Sequence, residues 1–321
     1  MSSERSRGRA WLAVRLILTV VMLAILVPRL HPSTLFPDHH LQTVLWMAGA
    51  IAVAVLSVVL WTFRWQQMLH ALELPAALPP LLSHTLAGLF VSNFLPTTIG
   101  GDVVRASRLA ATNGHRKVSA ASVVLERLTG FMALPLITLV ALAVKPSLLQ
   151  LGTASQVAVV LSVGPLVGLT AFMVLAAHPW LGERLGGRRW LGLAMTVHLG
   201  LVRLRRHPAL VVTVMAAALV YQLSLVLVAW MGAHALGFSV GWTAMMAFIP
   251  VVVIAQALPL SIGGLGLREG ALVVLLGPLG VADSHAVALG LLLYAINMVV
   301  SLLGAPAVLV GSRRRFEPAT V

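Results

Sequence analysis

The sequence predicts an all-α polytopic membrane protein, with about six transmembrane helices and two re-entrant broken hairpins in an inverted repeat. Three observations carry this. The chain of 321 residues is 59% hydrophobic and 10% charged, with mean hydropathy +0.98, more apolar side chain than a soluble surface accommodates. Several apolar runs reach the roughly 20 residues that cross a bilayer core. Arg and Lys gather at the ends of those runs, where orientation is set. No series of short alternating strands suggests a barrel.

Residues 1–9 carry Arg5, Arg7 and Arg9 ahead of the apolar run Trp11–Val27. No small-x-small cleavage site follows, so a retained first span with a cytoplasmic N-terminus is expected. Arg29–His40 is then an external loop. Leu41–Phe63 returns, with Trp61 and Trp65 as interface anchors, and Arg64–Pro80 lies on the inner surface. Leu81–Leu95 is short for a crossing. Pro96–Gly101 breaks the run, and Asp102–Thr112 reads as a half helix returning to the same side.

Val118–Val144 crosses outward and Gln156–Ala177 crosses back. The connector 178–207 carries Arg184, Arg188, Arg189, Arg203, Arg205 and Arg206, and is cytoplasmic. Trp190, Leu191, Met195, His198 and Leu199 recur at helical spacing, so it is either an interfacial amphipathic helix or a plain basic loop. Ala209–Met231 crosses outward. Trp242–Leu258 is again short and breaks at Pro259. A short helix, Ala271–Leu276, follows, and Val287–Val310 crosses to Arg313–Arg315. The chain 1–321 is thus one integral membrane domain, with halves at about 41–144 and 209–310. Both termini are cytoplasmic.

Leu95–Arg105 overlays Leu258–Arg268 without a gap, and Leu, Pro, Ile, both Gly and Arg agree, six positions of eleven. Three crossings separate the copies, so the hairpins enter from opposite faces. Interrupted segments at matching places in two halves point to a transporter site near the midplane.

Pro96, Gly100 and Gly101, and Pro259, Gly263 and Gly264, read as turns that let backbone approach a ligand. Each precedes a half helix whose first N–H groups favour an anion. Arg105 and Arg268 lie about one turn further on and can fork onto a phosphate. The competing reading makes the glycines helix-packing contacts. Asp102, Arg105, Glu126, Arg127, Arg268 and Glu269 are the intramembrane charges, three acidic and three basic, able to neutralise one another. Asp102 can cap its half helix or pair with Arg105. Glu126 and Arg127 cannot both face one cavity; Glu126 is expected inward, partnering Arg105 or Arg268. Arg108 is expected at a lipid head or the surface. Asn93 and Gln256 can satisfy the broken backbone, His84 reads as a packed hydrogen-bonder, and Tyr294 and Asn297 as interhelical ones.

Several function classes fall away. The +13 charge sits at span ends and not on one basic face, which excludes nucleic acid as partner. The absence of cysteine removes thiol chemistry and Cys-held metal. No cofactor or metal is implied, and no nucleophile–base set or phosphate loop is present.

Asn93-x-x-Pro96-x-x-x-Gly100-Gly101-Asp102-x-x-Arg105, Glu126-Arg127-x-x-Gly130 and Pro259-x-x-x-Gly263-Gly264-x-Gly266-x-Arg268-Glu269 together resemble the flippase-like membrane domain of bacterial lysylphosphatidylglycerol synthases and their stand-alone relatives. The resemblance covers nearly the whole chain. It implies movement of an aminoacylated phospholipid between leaflets of the inner (plasma) membrane. It also implies phospholipid or glycolipid as ligand and a lipid-modifying enzyme or glycosyltransferase as partner. No C-terminal aminoacyl-transfer domain is seen, so synthase activity is not expected. The leading expectation is a lipid transporter and not an enzyme. The alternatives are a non-transporting membrane partner of such an enzyme, or an intramembrane lipid-phosphate hydrolase or transferase. A homo-oligomer is compatible with either.

Overall fold

The computed structural model describes residues 40–94, 100–180, 192–257, 261 and 263–308. Among these there is no strand. The helices are α1 (His40–Ala71), α2 (Leu78–Phe94), α3 (Gly100–Asn113), α4 (Arg116–Val144) and α5 (Thr153–Ala176). They continue as α6 (Gly192–Arg206), α7 (Pro208–Ala235), α8 (Trp242–Ala257), α9 (Leu267–Leu276) and α10 (Asp283–Leu302). Helices α1, α4, α5, α7 and α10 are each long and apolar enough to cross a membrane. They coincide with five of the expected spans. The sixth, Trp11–Val27, lies outside the described residues, as do Pro96, Pro259, Trp190, Leu191 and both termini.

The largest departure is the end of the second expected span. Helix α1 does not stop at Phe63 but runs on to Ala71. Trp65, Met68 and Leu69 are fully buried, so Trp65 is a core residue and not an interface anchor. Hydropathy ends a span at its first charge, but Arg64 is held inside by an acid on another helix, so helix continues past it. The half helices are also longer than expected. Helix α3 starts at Gly100, and α9 starts at Leu267, which brings Arg268 and Glu269 into its first turn. The last span starts at Asp283, whose acid suits a helix N-terminus.

The basic connector is helical over Gly192–Arg206. It is not free on a surface. His198, Leu201 and Leu204 are buried, and the two leucines join Met68 of α1, Leu125 of α4 and Val214 of α7 in one cluster.

Helices α2 and α3 pack as one hairpin, and α8 and α9 as another. The same packings recur in each half. Helix α1 lies on α2 as α7 lies on α8, α3 on α4 as α9 on α10, and α1 on α4 as α7 on α10. The helix ends repeat in register: Phe94 and Ala257, and Asn113 and Leu276, are each 163 positions apart. That is also the spacing of Arg105 and Arg268. Across the halves, α1 and α7 lie along one another. The other cross-half seams are unequal. Helix α4 packs extensively on α8, whereas α10 meets α2 more sparsely; just past the end of α10, Gly304 abuts the Leu86 carbonyl and Phe90.

Candidate functional site

The first site is a buried charge cluster. Glu126 projects from α4 with no exposed surface and takes two arginines on one carboxylate: Arg64 of α1 on Oε1 and Arg105 of α3 on Oε2. Arg105, 1% exposed, also donates from Nε to Asp102 Oδ1 at 3.0 Å, one turn back. Asp102 receives Arg127 of α4 on its other oxygen. Three arginines therefore share two carboxylates. Aromatic rings form the remaining wall. The Arg64 guanidinium lies 4.8 Å from the Tyr221 ring centre, and Arg105 lies 5.1 Å and 5.0 Å from Trp61 and Trp65. Such faces attract a cation electrostatically, most strongly when water is excluded. The Trp65 indole N–H donates to Ser122 Oγ on α4 at 3.0 Å, which fixes that ring.

This explains the spacing Glu126-Arg127-x-x-Gly130. Residues four apart share a helix face, so Glu126 and Gly130 both look at Arg64. A Cβ on Gly130 would stand 2.5 Å from Arg64 Nη1. Arg127 is rotated by about 100° from Glu126 and looks elsewhere. The expected orientation is thus reversed: Glu126 is the buried lock, and Arg127, 40% exposed, is the residue on the cavity. The expected partner Arg105 is found. Arg105 is not available to a ligand, because Glu126, Asp102 and two indoles surround it.

The glycines of the first motif also serve packing. Gly101 is helical and buried, and a Cβ there would collide with the Gly88 carbonyl and Ser92 Oγ of α2. It lets α3 close onto α2. Arg108 is not a surface contact: Nε donates to His84 Nδ1 at 3.2 Å, and Nη1 donates to the Ala307 carbonyl at 3.0 Å. His84 is accordingly the packed hydrogen-bonder that was expected.

The second motif behaves differently. Gly263, Gly264 and Gly266 have φ of +61°, +75° and +80°, a region that favours residues without a Cβ. They make an open turn before α9. Glu269 accepts the Gly266 N–H on Oε2 at 2.6 Å and the Arg268 Nε and Nη2 on Oε1 at 3.1 Å and 3.0 Å. Arg268 lies 5.4 Å from the Tyr294 ring centre. Gly290 of α10 makes room for this carboxylate: a Cβ there would stand 2.8 Å from Glu269 Cγ.

A cavity of about 470 Å³ lies between the two hairpins. Trp61, Asn93, Arg127 and Tyr221 line it on one side, and Gln256, Gly263, Gly264 and Arg268 on the other. Of the residues expected from sequence, Asn93, Arg127, Gly263, Gly264 and Arg268 meet here. Gly101, Asp102, Arg105, Glu126 and Glu269 stand behind the wall, and Gly100 is not on it either. Asn297 and Gln256 are on the wall, where they were given only structural duties. Arg64 and Tyr221 were missed. Tyr221-Gln222 interrupts the apolar run of α7, a polar pair at depth that was legible as a site signal.

The family model described as the lysylphosphatidylglycerol synthase TM region matches residues 12–304. The chain belongs to this family. It is a multi-pass membrane protein, and the family places it in membrane lipid chemistry. Neither curated proteins nor solved structures give a match to the chain.

Proposed function

We propose that this family member is a flippase of the bacterial inner membrane, a transporter and not an enzyme. It moves the headgroup of an anionic, aminoacylated or glycosylated phospholipid between leaflets. The observation that carries this reading is the shared cavity, with Arg127 of the first half and Arg268 of the second on otherwise mainly apolar walls. An arginine fork matches phosphate oxygens. The apolar remainder suits the upper part of lipid tails.

The repeated helix register supports reading residues 41–144 and 209–310 as two copies. Spans α4, α5 and α7 lie between the hairpins, and their odd number supports reading the hairpins as re-entrant elements that enter from opposite faces. The basic clusters at the span ends support a cytoplasmic side for both termini. The sparse seam between α2 and α10 is then the lateral portal for the tails, and the dense seam between α4 and α8 is its closed counterpart. Exchanging which seam is open exposes the headgroup to each leaflet in turn.

Proteoliposomes carrying a headgroup-labelled lipid test this. Arg127→Ala and Arg268→Ala should each slow translocation at least about tenfold, the loss of about 1.4 kcal/mol of binding. Wild-type rates in both variants would overturn the site.

A further inference from the structure

Among the described residues the cavity wall carries two arginines and no carboxylate. The charges around it are Arg64, Arg105, Arg127 and Arg268 against Asp102, Glu126 and Glu269, so one positive charge remains. All three acids are turned away from the cavity and hold arginine. Glu126 and Glu269 are fully buried, and Asp102 nearly so. Among the described residues none of these carboxylates lines the wall. Residues 95–99, 258–260 and 262, outside the described residues, contain no acid in their sequence.

The polar groups on the wall, besides the two arginines, are neutral. Ser92, Asn93, Tyr221, Gln256 and Asn297 offer hydroxyl and amide groups. Asn93 Nδ2 is buried and has no partner among the described residues. Such groups read hydroxyls by paired hydrogen bonds, and a buried donor left unpaired is costly.

We infer that the lipid carried is a phosphodiester with a neutral polyol or glycosyl headgroup, and that an aminoacylated headgroup is rejected. This rests on the flippase reading of the same cavity and narrows it. The phosphate takes the surplus positive charge between Arg127 and Arg268. The hydroxyls take the amide and hydroxyl groups. A lysyl ester would bring ammonium groups against two guanidiniums with no carboxylate on the described wall to receive them, a like-charge approach.

The test is lipid binding by the purified full-length chain, measured by native mass spectrometry with phosphatidylglycerol and lysylphosphatidylglycerol in competition. The wild type should prefer phosphatidylglycerol at least about tenfold. Asn297→Asp puts a carboxylate on the exposed cavity wall and should move that preference at least about tenfold toward the lysylated lipid, a gain that misfolding cannot produce. Equal or tighter binding of the lysylated lipid by the wild type would overturn the inference, and so would an unchanged ratio in Asn297→Asp. Translocation assays separate the two readings. Selective binding without translocation defeats the flippase and leaves the ligand class standing. Translocation of the lysylated lipid at the rate of phosphatidylglycerol defeats the ligand class and leaves the flippase standing.

Discussion

In the first hairpin Gly101 lies within a helix and packs on Gly88, whereas its counterpart 163 positions on, Gly264, sits in a turn at φ +75° on the cavity wall. The arginines diverge in the same way. Arg105 is enclosed by Glu126, Asp102 and two indoles, while Arg268 has one acid and reaches the cavity. On α10 the position matching Glu126 is Leu289, buried in the apolar core, and the position matching Arg127 is Gly290, which receives the Glu269 carboxylate. One backbone frame thus carries two charge plans. The first half locks three helices together through its acids and sends Arg127 out to the cavity. The second keeps its acid beside its own arginine and leaves the turn open. A repeat fixes where backbone breaks occur, but the neighbouring helix decides what each break does.

The sharpest way to break this comparison is to remove the lock. Glu126→Gln leaves Arg64 and Arg105 buried without their shared carboxylate. Breaking a buried pair in this manner costs about 3–5 kcal/mol. Denaturant unfolding in detergent, followed by tryptophan fluorescence, should show a loss of that size. Glu269→Gln should cost less, because that carboxylate holds one arginine and one backbone N–H. Equal losses would mean that the halves are held alike.

The glycines give the next largest effect. Gly101→Val drives a branched side chain into the Gly88 carbonyl and Ser92 and should destabilise the fold by about 1–3 kcal/mol. Gly264→Ala meets Gln256 Oε1 at 3.0 Å and takes on positive-φ strain of about 1–2 kcal/mol. Its larger consequence should be weaker lipid binding, since the turn is on the wall. If Gly101→Val weakened binding and left the melting curve in place, its assignment to packing would be wrong.

How much of this was legible follows from what each residue answers to. The spans answer to length and hydropathy, and five of them stand where the runs placed them. The breaks answer to Pro and Gly, and the flanking helices end at Phe94 and Ala257, just ahead of Pro96 and Pro259. Arg64 was misplaced because its burial depends on Glu126, 62 positions away in a different helix. Nothing local in Phe63-Arg64-Trp65 distinguishes a snorkelling arginine from an enclosed one. Arg127 was under-weighted for a related reason. A helix shows that Glu126 and Arg127 face different ways, but which way holds the cavity depends on where α1 and α3 stand. Counting Arg64 among the site charges turns a balanced set into one with a positive surplus, and that surplus is what the proposal of an anionic ligand rests on.

The smallest effect on the fold should come from Arg127→Ala. Its side chain is 40% exposed, so screening at the arginine end limits its pair with Asp102 to about 1 kcal/mol or less. Asp102 keeps Arg105 as a partner, so no carboxylate is stranded. The melting curve should therefore shift little. Binding of an anionic lipid should fall at least about tenfold, because the wall loses one of its two cations. The contrast with Glu126→Gln is informative because the residues are adjacent in sequence. One change should weaken the fold, and the other should spare the fold and weaken binding. If both variants lost stability equally, Arg127 would belong to the lock, and the cavity would be left with Arg268 alone to attract a phosphate.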